Sequence, residues 1–442
     1  MTQKLNHDNS PRLGKVAAVQ IITMLVAVVS MLIDGIITGL YLGEDSLAAY
    51  GLTNPVNMFL VALGGLLAAG AQVLGGRCAG RKDEAGLNCV LTTSVTFGFL
   101  SGLVLSILIA LLVHPLTSLL GADPERLGPL TEQYLSGIVF CLPVLVIGQV
   151  IPGFLQIKSC RRQILIAALA QIASDVLLDY LNVTVFHDGL RGMALASVVS
   201  CCIYVALMLI PLYGKAGDRF SLRGFSLPVL KQICAYGLLY LVYKLSVALM
   251  GLYLNRTLAA HGGVAFLTAN SIIFSIELII GAIPSGFGST VSILIGIEKE
   301  QAGEEAAARL LGRMIRLSLI VCLAAIVLVC LFAHPLVSLF SSGGGRASQL
   351  AVWGLRLYVL AVLPNTVNYI VRNYELNMDR PGQAYLICLM NHIVLPMAAG
   401  LLLTFTAPLQ DIWLCFVIGH GLCLILSWRI LRASAIRREK RP

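Results

Sequence analysis

Long apolar stretches separated by short polar ones run the whole length of the chain. Val16 to Ile33 carries no charge, and comparable runs lie near residues 16–42, 52–76, 87–112, 131–153, 163–183, 190–213, 229–258, 264–295, 310–333, 350–374, 383–406 and 411–434. About 20 apolar residues suffice for a helix to cross a hydrocarbon core roughly 30 Å thick. The period-two alternation of a membrane barrel is absent. The pattern predicts an all-α integral membrane protein with twelve transmembrane helices.

Composition agrees. Of 442 residues, 58% are hydrophobic and 12% charged, and the mean hydropathy is +0.87, far from soluble domains. A net charge of +9 would suit nucleic acid if it were clustered, but the basic residues sit in short segments between spans, so no nucleic-acid partner is expected. With both termini cytoplasmic, only Arg126, Arg191, Arg256, Arg346 and Arg356 of the 31 basic residues fall outside and Lys244 falls mid-span. That bias sets the orientation in a cell (inner or plasma) membrane. The first span lacks a small-residue cleavage site and reads as retained. Most of the twelve cysteines lie in or beside apolar runs and read as small packing residues; no CxxC or His/Cys metal spacing occurs.

The chain also repeats itself. HPLTSLL at 114–120 returns as HPLVSLF at 334–340, Pro143 returns as Pro364, and Asn54, Gly65, Gly70 and Gly80 return as Asn270, Gly281, Gly286 and Gly296. Two pseudo-symmetric six-helix bundles follow, residues 1–213 and 229–442, the latter with a short basic tail, joined by a cytoplasmic linker at 214–228. An even span number per half makes them parallel copies.

Against this apolar background, acids stand out. Asp34 lies about 27 Å from the inner end of its span and about 13 Å from the outer end at helical rise. There a carboxylate must take a proton, meet a cation or face a polar cavity, unless it snorkels outward. Asp175 and Asp179 share one face of the fifth span at a comparable depth; like charges held together there disfavour joint ionisation, although Asp179 could instead cap the wet end. Asp34, Asp179 and Asp175 are therefore the candidate ion-coupling residues. Lys244 and Glu277 match in depth on consecutive spans, as a structural pair or as cavity lining; with Asn54 and Asn270 they complete a candidate substrate cavity. Arg372 and Glu375, three apart, read as an interfacial salt bridge. Asn54 and Pro55, Pro143, Pro152, Pro284 and Pro364 mark points where helices can bend.

DGIITGLYLGEDSLAAYGLTNPV and GAQVLGGRCAGRKDEAG, then FLQIKSCRRQILIAALAQIASDVLLDYLNVTVFHDGLRGMALASVVS, resemble the first two helices and the fourth-to-sixth helix region of the multidrug and toxic compound extrusion (MATE) family. The resemblance implies two bundles in a V that rock between inward-facing and outward-facing states. It implies export of organic, cationic amphipathic compounds in exchange for H+ or Na+, with no other cofactor. It aligns Asp34 and Asp179 with that family's acidic positions in the first and fifth helices, where Na+ would bind if it is the coupling ion; Asp175 stands where the family often has Asn. The expected partners are small organic molecules and the lipid bilayer, with the protein working as a monomer.

Two other transporter readings compete. A lipid-linked oligosaccharide or lipid flippase of the same broad superfamily would want several cations at mid-depth, where the sequence offers Lys244. A major-facilitator exporter would want an acid before the Arg pair in the loop after span two. An enzyme is not expected, since no HExxH or GxSxG motif lies in the spans.

Overall fold

A computed structural model describes residues 10–120, 123, 125–214, 224–340 and 345–439. Among them every regular element is helical. In chain order the helices are α1 (Ser10–Ile37), α2 (Glu44–Leu52), α3 (Asn54–Gly80), α4 (Glu84–Leu111), α5 (Val113–Leu119), α6 (Gly128–Ile138), α7 (Leu142–Ile157) and α8 (Arg161–Leu181). There follow α9 (Gly189–Gly214), α10 (Leu227–Ile280), α11 (Ala282–Ser338), α12 (Arg346–Val359), α13 (Val362–Asn377), α14 (Pro381–Leu389), α15 (Leu395–Thr406) and α16 (Leu414–Glu439). Backbone groups in lipid must be bonded within the segment, and helices meet that requirement.

Among the described residues, eight helices are long and apolar enough to span a membrane, or ten when each of two bent pairs counts as one. Within residues 265–338 the helical backbone breaks at Gly303, whose φ of 82° suits glycine, and α10 breaks in the same way at Gly263, with φ 68°; the sequence-based count of twelve takes the segments on either side of each break separately. The bent pairs are α6 with α7, at 54°, and α12 with α13, at 41°. Pro143 and Pro364 stand at the second helix of each pair, where a proline has no N–H to contribute to the ladder. The repeat seen in the sequence thus returns as a repeated break. Repeated turns accompany it, with Ser159 at φ 62° before α8 and Asp379 at φ 58° before α14. Lys299 holds the second turn by donating to the Asn377 carbonyl at 3.0 Å and to Asp379 at 2.8 Å.

Two compact units result. One is Ile22–Tyr240; the other joins the residues through 21 to those from 241 onward. Each unit's core is aliphatic and aromatic: Leu60, Leu135, Leu142 and Tyr134 in the first, Leu254, Ile273, Leu355 and Trp413 in the second. Because lipid is as apolar as leucine, close packing rather than water exclusion holds such helices together. Gly70 of α3 meets the Ile233 backbone in the first unit, and Gly286 of α11 meets Ile21 in the second; a β-carbon at either place would overlap its neighbour. Large apolar side chains face outward, among them Val104, Ile107 and Leu111 on α4 and Ile320, Leu323 and Leu331 on α11. Patches of that extent on a soluble protein would aggregate; on a spanning helix they meet acyl chains. Buried cysteines, Cys141 in the first unit and Cys322 and Cys415 in the second, pack among these apolar residues.

Candidate functional site

The first unit gathers Asp34, Asp175 and Asp179. α1 supplies Asp34 about one turn below Ser30, and α8 supplies the other two, four residues apart, so both point the same way. Asp175 is 3% exposed and Asp179 0%; Asp34 is half-buried. The reading of Asp179 as a cap on the wet end is set aside by that burial. The three carboxyls are close enough to act on one another electrostatically, and Asp34 lies within hydrogen-bond reach of Asp179.

Their surroundings divide them into two kinds. Asp175 is held: Ser30 of α1 donates to its Oδ2 at 2.5 Å and Ser200 of α9 to its Oδ1 at 2.8 Å. Asp34 and Asp179 are not. As bare carboxylates, both oxygens of Asp179 and Oδ1 of Asp34 are buried without a donor. A buried acceptor without a donor is costly, and three adjacent negative charges in a membrane interior are costlier still. A proton on one of the two acids removes a charge and supplies the missing donor in one step. Among the described residues no three His, Cys, Asp or Glu side chains are arranged to hold a metal ion.

Two tyrosines close the cluster. Tyr50 of α2 sits within electrostatic reach of all three acids and meets Tyr134 of α6 edge to face, with ring centroids 5.2 Å apart; Asn57 lies beside Tyr134. Both acid-bearing helices change winding just past the site. Wider π turns cover Thr38–Leu42 and Asn182–Phe186, a distortion frequent at functional positions. Asn182 fixes the second turn by donating to the Gly189 carbonyl at 2.9 Å and accepting from the Asp188 N–H at 3.2 Å. Ser30, Ser200, Tyr50 and Tyr134 were not singled out by the sequence; hydroxyls in apolar helices are common, and only tertiary packing shows which of them meet an acid.

The remaining sequence candidates lie elsewhere. The side chain of Asn54 is outside the described residues. Glu277 and Lys244 belong to the second unit, within electrostatic reach of each other, and Tyr358 lies beside Glu277. Asn270 is built into a wall: its amide donates to Asn255 at 2.8 Å and its carbonyl accepts from the Trp413 indole at 3.0 Å. The expected Arg372–Glu375 bridge is not formed. Glu375 is bonded by Arg380 at 3.3 Å, while Arg372 turns inward, 5% exposed, with its guanidinium 4.0 Å from the Tyr369 ring centroid. Three residues' separation permits a pair on a helix, but here burial against aromatic rings wins. Lys244 is accordingly not the sole cation inside the second unit.

Apolar spanning helices around an interior acid cluster define an integral membrane protein. The MatE family model matches residues 20–181 and 241–395, and the chain belongs to that family of membrane transporters; it is not an enzyme. It is similar to the multidrug export protein MepA of Staphylococcus aureus (strain NCTC 8325 / PS 47), 23% identical over 421 residues, covering 92% of this chain and 91% of that protein. To MepA of Staphylococcus saprophyticus it is 22% identical over 361 residues, or 79% and 78% of the two chains. Its fold is shared with a crystal structure of MATE in complex with MaL6, at TM-score 0.90 and 21% identity over 99% of this chain and 100% of the other. A multidrug resistance MATE family transporter in an outward-facing conformation matches equally, at TM-score 0.90 and 21% identity over 99% and 100%.

Proposed function

We propose that the protein is a secondary exporter of organic compounds, cationic and amphipathic in class, which it exchanges for protons at the Asp34, Asp175 and Asp179 cluster. Two pseudo-symmetric bundles of six spans each, residues 1–213 and 229–442, alternate by rocking, both termini are cytoplasmic, and one chain suffices. The observation that carries this reading is the buried Asp179 carboxylate with neither oxygen donated to, and the buried Oδ1 of Asp34 in the same condition, beside a third acid that two serines already satisfy. A proton on that pair stabilises one state of the transporter and an organic cation the other, so each drives the release of its competitor. The export direction and substrate class draw on the MepA proteins, whose names describe multidrug export.

Protons fit better than Na+ because Asp34 and Asp179 stand within hydrogen-bond reach, the geometry of a shared proton. The test is uptake of rhodamine 6G into proteoliposomes under separately imposed proton and sodium gradients. The proposal expects proton-driven accumulation in the wild type, no response to sodium alone, and loss of accumulation in Asp34→Asn. Accumulation driven by sodium alone would replace the ion; undiminished transport by Asp34→Asn would remove the site.

A further inference from the structure

The second unit buries a positive charge that its own residues leave unanswered. Arg372, on α13, is 5% exposed, yet among the described residues no carboxylate touches it. Glu375, one turn on, is bonded by Arg380, and Glu277 is within reach of Lys244. Arg372 has its Nη1 3.6 Å from the Cys388 sulfur, a weak acceptor, and its face against rings, 4.0 Å from the centroid of Tyr369 and 5.5 Å from that of Tyr243. Its Nε is buried without any partner.

The asparagines around it are committed to other partners, while the Tyr369 hydroxyl is, like Arg372 Nε, buried without a hydrogen bond. Asn368 donates to Asn391 at 2.7 Å and to the His420 carbonyl at 2.9 Å, and accepts from Ser427 at 2.9 Å. Asn391 donates to Asn365 at 2.8 Å. His392 packs edge-on between Tyr243 and Tyr369, at 4.7 and 5.4 Å between centroids. What is left without a partner is the Nε–H at the edge of a guanidinium whose face is taken by aromatic rings. That edge is the fork that matches an oxyanion, and a buried cation without a counter-ion calls for one.

We propose that Arg372, framed by Tyr369, Tyr243, His392 and Cys388, is a binding site for a small anion, either the carboxylate of an organic solute or a halide. The site is separate from the acid cluster of the first unit and does not depend on the proposed proton exchange. Flanking rings favour a flat, aryl-bearing carboxylate.

The test uses the full-length protein in an uncharged detergent and chloride-free HEPES, with thermal unfolding followed during titration with benzoate, neutral benzamide or sodium chloride. Benzoate should raise the melting temperature and benzamide should not. Arg372→Gln should weaken the apparent benzoate affinity by about 10- to 100-fold, as expected for loss of hydrogen bonds to a charged group. Arg372→Lys should keep part of the response, and Arg126→Gln, at an exposed arginine, all of it. Chloride that competes with benzoate and shifts melting through Arg372 assigns the site to halide as well; a benzoate response indifferent to chloride assigns it to carboxylates. Equal shifts from benzoate and benzamide, no shift from any anion, or an undiminished response in Arg372→Gln would overturn the proposal. Should Arg372→Gln fail to fold, the contrast between benzoate and benzamide on the wild type, with Cys388→Ala to perturb the Nη1 contact, still decides.

Discussion

Asp175 offers a quantitative test of how the acid cluster is held. Its two oxygens take one hydroxyl each, and it is 3% exposed, so water cannot replace a lost donor. Removing a hydrogen bond to a buried charged acceptor costs about 1.5–3 kcal/mol. Ser30→Ala should fall within that range. Ser200→Ala should cost less, since the Ser200 hydroxyl also faces the Ser197 carbonyl at 3.0 Å and only part of its bond goes to Asp175. In an Asp175→Asn background the acceptor is neutral and the same serine is worth about 0.5–1.5 kcal/mol. The double-mutant cycle between Ser30→Ala and Asp175→Asn should therefore show a coupling of about 1 kcal/mol. Thermal unfolding in detergent reads it as about 2–4 °C for a cooperative unit of roughly 200 residues. Equal melting shifts for Ser30→Ala in both backgrounds would mean that the serine does not serve a charged carboxylate, and the division between a held acid and two undonated ones would fail.

Other outcomes follow from the same packing. Arg380→Ala removes the ion pair to Glu375, whose side chain is 0% exposed, and should destabilise the protein by about 2–4 kcal/mol; Glu375→Gln in the same chain should restore much of the loss, as read by melting temperature. Gly70→Ala and Gly286→Ala should each cost about 1–3 kcal/mol by overpacking. Gly251→Ala, where nothing lies within 4 Å, should be neutral or stabilise by up to about 1 kcal/mol. Parallel melting curves separate these cases, and equal effects at all three glycines would refute the close-packing argument.

Much of the helical plan is legible in the sequence because a bilayer imposes one length and one polarity on every span. Pro143 and Pro364, paired by the internal repeat and marked as bend points, stand beside the two bends of the structure. Local spacing also gave Asp175 and Asp179 on one face, and depth singled out Asp34. What it could not supply was tertiary. Ser30 and Ser200 look like any small residues in apolar helices until α1, α8 and α9 are packed together. The Arg372–Glu375 spacing suggested a pair, but Arg380 reaches Glu375 first and two tyrosine rings take the arginine. Asn270 carried the mark of a repeated position, and its amide is taken up by Asn255 and Trp413. Residues 227–240 of α10 group with the first unit and the start of α1 with the second, beside the close backbone approaches at Gly70 and Gly286.

The most direct test of proton exchange at the acid cluster is a count of protons released when substrate binds. Purified protein in weakly buffered detergent, with a pH-indicator dye present, would be mixed with saturating rhodamine 6G at neutral pH. Wild type should release about one proton per chain, and Asp34→Asn and Asp179→Asn should release close to none while still folding. Substrate binding with no proton release in the wild type, or the same release from both variants, would contradict it.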